Sequence, residues 1–210
     1  MAKLLNILCD LKPMENSPAL YVATEFLNEY LKYYPGDEIH TLDLYRDQIQ
    51  RIDADVLTGW EKIKQGHAFA TLTDHEQRKI GRIWNLADQF IDADKYVFVT
   101  PEWDLGFPAE FKMYIDTVCV IGKTFRYTPN GPEGLLKNRG KKCLHFYGSS
   151  NLHKKEQLYN GISYFSFIMN FIGVDDVETI IVNESRPNTD DLKEAYCTTM
   201  KKATDAASRF

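Results

Sequence analysis

Short apolar runs alternate with longer amphipathic stretches along this chain, and that alternation restricts its fold more than any other feature. Lys3 to Leu8 is short and apolar, and after the polar, Pro-containing segment Cys9 to Asn16 a helical pattern runs from about Ser17 to Tyr34. Past the Pro35-Gly36 turn, Ile39, Leu42 and Leu44 support a second strand over Glu38 to Leu44, although His40 shares a face with the two leucines. Asp53 to Phe69 reads as a helical excursion. Thr73 and Glu76 then form a capping box ahead of Ile80, Ile83, Trp84, Ala87, Phe90 and Ile91, which recur at helical spacing. Lys95 to Thr100 is rich in β-branched and aromatic residues and stops at Pro101, as a central strand does. The next helix is predicted over Glu110 to Val120, with Phe111, Tyr114, Ile115 and Val118 on its inner side. After a Gly- and Pro-rich loop come a strand over Lys142 to Tyr147, a helix over Glu156 to Ile172, a last strand over Val177 to Val182, and a closing helix over Asp190 to Ser208.

Strands that alternate with helices imply parallel neighbours, because parallel pairing needs long crossover connections. The expected architecture is α/β, a five-stranded parallel sheet with helices on both faces, and ligands on such sheets bind at the carboxyl ends of the strands. Three loops fall there: Cys9 to Ser17, Pro101 to Pro108, and Tyr147 to Lys155. The 210 residues, 44% hydrophobic and 26% charged, fit one domain over 1–210, with no repeat, low-complexity tract or linker.

A net charge of -5, without a basic run, argues against a nucleic-acid partner, whose phosphates need clustered Lys and Arg. The first ten residues form too short an apolar run for a secretory leader, interrupted by Asn6 and ended by Asp10. Nothing approaches the roughly 20 apolar residues that span a bilayer, so a soluble cytoplasmic protein is expected. Cys9, Cys119, Cys143 and Cys197 lack the paired spacing of a zinc site and read as reduced core thiols, and the five histidines show no metal-ligand spacing. Cys9 ends the first strand near the ligand edge but has no partner cysteine or basic neighbour to make it a reactive thiolate.

The middle of the chain is its most distinctive part. Thr100-Pro101-Glu102-Trp103-Asp104-Leu105-Gly106-Phe107-Pro108 is followed by Phe111-Lys112, Asp116, Gly122-Lys123-Thr124-Phe125-Arg126-Tyr127-Thr128 and Asn130-Gly131-Pro132-Glu133-Gly134-Leu135. With Gly140-Lys141-Lys142 and Asn170-Phe171-Ile172-Gly173-Val174, this order and spacing resembles the flavodoxin-like family of FMN-dependent NADH azoreductases and NADH:quinone oxidoreductases. The resemblance covers most of the chain. It implies FMN as cofactor, NADH or NADPH as electron donor, a quinone or azo compound as substrate, and a homodimer that completes each pocket from the other subunit.

The resemblance also implies site residues. The loop after the third strand lies along the flavin ring in that family and commonly reads Pro-Met-[Tyr/Trp]-Asn; here it is Pro101-Glu102-Trp103-Asp104, followed by Leu105. Trp103 keeps the aromatic residue, while two carboxylates replace the methionine and the asparagine. Backbone N–H groups of such a loop can bond the flavin edge whatever the side chains are. The phosphate loop keeps Ser17 but carries Asp10 where Ser or His is common. The third loop, usually Ser-x-Gly-Gly, is Gly148-Ser149-Ser150-Asn151. Tyr127 and Phe171 match positions that line the substrate pocket.

Some of these residues have a plainer reading as well, Trp103 among them as packing against the sheet rim. Ser17 reads equally as the N-cap of the first helix or as a phosphate contact, and Phe171 as an ordinary core residue. His153 and the Lys154-Lys155 pair read as a solvated loop. The altered loops keep a second function open, that of a flavodoxin-like binding or regulatory protein that has lost tight flavin binding.

Overall fold

A computed structural model describes residues 1–150, 155–185 and 190–210, with the side chains of 155–159, 191 and 192 left aside. In it β1 (Lys3–Leu8), β3 (Lys95–Pro101) and β6 (Lys142–Ser149) are buried along almost their whole length. Parallel strands covered on both faces have that character. β2 (Glu38–Asp43) and β7 (Asp176–Asn183) complete a five-stranded sheet in the order β2-β1-β3-β6-β7, with every pair parallel. From β1 the chain runs outward to β2 and then returns past β1 to β3. The connections after β1 and β3 therefore leave in opposite directions and open a crevice at their carboxyl ends.

Alternate residues of the strands feed two cores. On one face Leu4, Val97, Val99, Leu144, Phe146 and Ile180 pack under α1 (Pro18–Tyr33) and α6 (Asp190–Ala207), through Val22, Phe26 and Ala203. On the other face Leu5, Ile7, Tyr96 and Phe98 meet α3 (Asp74–Asp92), α4 (Ala109–Val118) and α5 (Lys155–Ile172), through Phe90, Phe111, Tyr114, Phe165 and Met169. The expected inner side of α4 is the buried one. Thr73 caps α3 with the full reciprocal box to Glu76.

Three sequence readings are corrected. The excursion over Asp53 to Phe69 divides: α2 (Ala54–Lys64), capped by Asp53, ends ahead of Gly66 at φ 94°, and a short 3-10 turn follows at Phe69–Thr71. The Gly- and Pro-rich stretch read as a loop holds a hairpin, β4 (Phe125–Thr128) against β5 (Gly131–Gly134), whose strands are too short to leave a periodic signal. Of the four cysteines only Cys9 and Cys143 are buried; Cys119 is half-buried and Cys197 exposed, all as free thiols. Among the described residues no helix is long and apolar enough to cross a membrane.

Candidate functional site

The loops after β1, β3 and β6 meet at the crevice, and hydrogen bonds tie them together. The first is shaped by Asp10, whose Oδ1 accepts from the Lys12 amide at 2.9 Å and whose Oδ2 accepts from the Ser17 hydroxyl at 2.6 Å. Ser17 is fully buried, and its Oγ also accepts from the Leu20 amide at 3.2 Å. The capping reading of Ser17 is thus the one its side chain makes, with Pro18 at the first helical position. Asp10 braces the loop with both of its oxygens.

The second loop makes a tight turn. Trp103 and Gly106 exchange backbone hydrogen bonds of 3.2 and 2.8 Å, with Asp104 at φ 49° and Leu105 at φ 64° between them. Two successive positive-φ residues closing such a pair are the pattern of a two-residue hairpin turn, which glycine and asparagine favour. Asp tolerates this backbone; a leucine there is unusual. Trp103 and Leu105 are each left 44% exposed. From beneath, the buried Tyr147 donates its hydroxyl to the Gly106 carbonyl at 3.3 Å. His145, also buried, bonds Thr100 Oγ1 through Nε2 at 2.8 Å and lies against Phe165 at 4.2 Å between ring centroids. Burial pushes its imidazole down to about 3, so it stays neutral.

The third loop locks onto the second. Following Pro101, the Glu102 amide donates to the Gly148 carbonyl at 2.6 Å, and the Ser149 hydroxyl donates to Glu102 Oε2. Glu102 Oε1 is buried without a hydrogen-bond partner among the described residues. Ser150 is exposed. Asn151, His153 and Lys154 lie outside the described residues.

Two residues of this edge escape a reading of the sequence. Glu184, just after β7, turns its carboxylate onto the start of α1: Oε1 accepts from the Ala19 amide at 3.3 Å and Oε2 pairs with Lys12 Nζ at 2.7 Å. Its side chain is only 5% exposed. A Cβ at Gly148 would sit 2.4 Å from Oε1, so that glycine leaves the carboxylate its space. No motif announces Glu184 or Lys12; the only available signal is that both follow a predicted strand at its carboxyl end.

The residues expected at the substrate pocket group around Phe125. Tyr127 on β4 is 69% exposed and contacts Phe125 at 5.7 Å, which in turn contacts the partly buried Phe171 at 5.0 Å. Neither Tyr127 nor Phe171 makes a ring contact with Trp103 among the described residues. Cys9 is buried, and burial, reinforced by Glu110, pushes its thiol up to about 12, which keeps it protonated. Among the described residues no group of three or more His, Cys, Asp or Glu could hold a metal ion.

The site suits the group that the resemblance implies. A helix N-terminus favours an anion, and here an anion stands on it, the Glu184 carboxylate, so the Ala19 amide and Lys12 are a working donor set. The lone acceptor at Glu102 Oε1 calls for a donor, and the 103–106 turn offers an aromatic and an aliphatic side chain to a flat ring.

A parallel sheet in the order 2-1-3-6-7, with helices on both faces and loops at the carboxyl ends of β1, β3 and β6, defines a flavodoxin-like α/β protein. A family described as having a flavodoxin-like fold matches residues 2–203. An FMN-dependent NADH:quinone oxidoreductase of Geotalea uraniireducens is 54% identical over 210 residues, the whole of both chains. One from Geobacillus kaustophilus is 38% identical over 213 aligned positions, again covering both chains fully. An azoreductase from Bacillus anthracis superimposes with a TM-score of 0.89 at 28% identity over all of both chains. An FMN-dependent NADH-azoreductase of that species, solved in complex with FMN, gives 0.88 at 28% identity over 100% of this chain and 99% of the other. The chain belongs to the family of FMN-dependent NADH:quinone oxidoreductases.

Proposed function

We propose that this chain is a flavin-dependent oxidoreductase that passes electrons from NADH through FMN to quinones or azo compounds, acting as a cytoplasmic homodimer with one domain per chain. The observation that carries the reading is the juxtaposition at the crevice of an anion seat, made by the start of α1 with Lys12, and the 103–106 turn with Trp103 exposed. The names of the full-length relatives support it.

When bound, FMN supplies the redox chemistry, taking up a hydride and releasing two electrons. The chain's own part is binding and orientation. The Ala19 amide and Lys12 would hold the phosphate, and the backbone of 101–105 with Trp103 would hold the ring. Gly148 and Ser149 would close its other edge. Tyr147 holds the turn's underside at the Gly106 carbonyl, and the neutral His145 packs behind Tyr147. Among the described residues no side chain of the site is placed as a general acid, which suits an electron-transfer reaction whose product takes its proton from water. Ile121, Tyr127 and Phe167, exposed by 63%, 69% and 71%, are the apolar surface that a second copy would cover. Light scattering is expected to give twice the 24.3 kDa chain mass; a monomer mass removes the homodimer from this reading.

The purified chain is expected to be yellow and to release flavin on denaturation. It should also oxidise NADH when a quinone is supplied. A colourless protein that binds no added FMN overturns this reading. It would favour instead a binding or regulatory protein that has lost tight flavin binding, to which the Glu184 carboxylate on the α1 amide also lends support.

A further inference from the structure

An acidic side chain occupies the place where this fold offers a seat to phosphate. Glu184 reaches it from the far edge of the sheet, 172 residues from its partner Lys12. The seat is built: the Ala19 amide and Lys12 Nζ hold the two oxygens, Gly148 leaves room for one of them, and the side chain is nearly enclosed. Next to it opens a cleft of about 690 Å³, lined by Lys12, Met14, Pro18, Tyr21, Tyr196 and Glu184 itself.

We propose that Glu184 is a specificity-determining residue that competes with the flavin phosphate for the start of α1 and so sets how strongly the site distinguishes FMN from unphosphorylated flavin. The inference rests on the flavin-binding reading given above. A flavin phosphate carries about two negative charges at neutral pH. It cannot share the Ala19 amide with a carboxylate, and like charges a few ångströms apart in a partly enclosed site repel strongly. Binding of FMN therefore requires Glu184 to leave, and the adjoining cleft gives it somewhere to go. Lys12 then changes partner from the carboxylate to the phosphate, which keeps the cation neutralised. Riboflavin has no phosphate, makes no demand on the seat, and leaves Glu184 where it is. The self-occupied seat thus narrows the advantage that FMN would otherwise hold over riboflavin.

The test is Glu184→Gln, which keeps an oxygen for the Ala19 amide and removes the charge. Binding of FMN and of riboflavin to the flavin-free full-length chain is followed by quenching of flavin fluorescence. The variant is expected to bind FMN about tenfold more tightly and riboflavin with an affinity within about twofold of the native chain. As a second reading, inorganic phosphate is expected to raise the thermal midpoint of the flavin-free variant, but not that of the native chain at the same concentration, because a ligand stabilises only a fold that binds it.

A parallel loss of both flavins in the variant overturns the proposal and makes Glu184 a brace for the loops. An unchanged ratio of the two affinities, with no phosphate effect, also overturns it. If Glu184→Gln does not fold, Glu184→Ala is put through the same two measurements, and failure of both to fold overturns the proposal too. Should the native chain and the folded variant bind neither flavin, the flavin-binding reading itself falls, a result distinct from an unchanged ratio.

Discussion

The Ser17 hydroxyl donates to Asp10 Oδ2 across 2.6 Å while the same oxygen atom of Ser17 accepts from the Leu20 amide. One buried hydroxyl therefore fastens the end of β1 to the first turn of α1. Asp10→Ala removes an ionised acceptor from that bond and from the Lys12 amide, which is expected to cost about 2 kcal/mol. Urea unfolding measures it, and an unchanged midpoint at unchanged slope would mean that Asp10 does not brace the loop.

Trp103 is the aromatic side chain that the 103–106 turn leaves exposed. Trp103→Ala is expected to weaken FMN binding by about 1 kcal/mol or more, the scale of an aromatic contact, and to leave thermal stability nearly unchanged because the ring is 44% exposed without ligand. Fluorescence titration separates the two effects. Unchanged affinity together with a lowered midpoint would assign Trp103 to packing.

His145 makes folding sensitive to mild acid. Burial holds its imidazole at about 3 against an ordinary 6.5. Between these values the unfolded chain binds a proton that the folded chain refuses. The stability tied to this group is therefore complete above about pH 6.5 and falls as pH drops toward 3. His145→Gln is expected to be less stable at pH 7, through lost contact with Phe165, and its deficit should shrink by about 2 kcal/mol between pH 6.5 and 4.5. Denaturant unfolding at both pH values checks it; a constant deficit sinks the assignment.

Gly134 is where the hairpin leans on the end of α5. A Cβ there would lie 2.4 Å from the Ile172 carbonyl carbon and 2.5 Å from the Phe171 oxygen, backbone atoms with no freedom to turn aside. Gly134→Ala is expected to cost about 2 kcal/mol and to speed amide exchange over 125–134. Exchange confined to its native rate would show that the hairpin does not depend on this contact.

How far the sequence foretold this site follows from where its signals lie. β1, β3 and β6 were legible because burial on both faces demands continuous apolar runs, and α3 because Thr73 and Glu76 spell out its cap. The Pro101 to Leu105 segment was legible as a loop at the carboxyl edge of the sheet from its place after a Pro-stopped strand. Its turn was not, since Asp104-Leu105 lacks the Asn-Gly or Asp-Gly signature of two-residue hairpins. Glu184 was illegible for a different reason. Its meaning comes wholly from Lys12 and Ala19, residues 172 and 165 positions away, which only the folded sheet brings beside it.

Leu105 at φ 64° bears on any effort to harden this protein against heat. A bulky residue held in the left-handed region is strained by roughly 1 to 3 kcal/mol, and glycine at that position would relieve the strain. A selection that scored survival at high temperature alone would be drawn to Leu105→Gly, while loosening the turn that carries Trp103. If the turn holds the flavin as proposed above, durability and cofactor grip are set against each other at a single residue, and variants from such a screen are best ranked on retained flavin as well as on melting point.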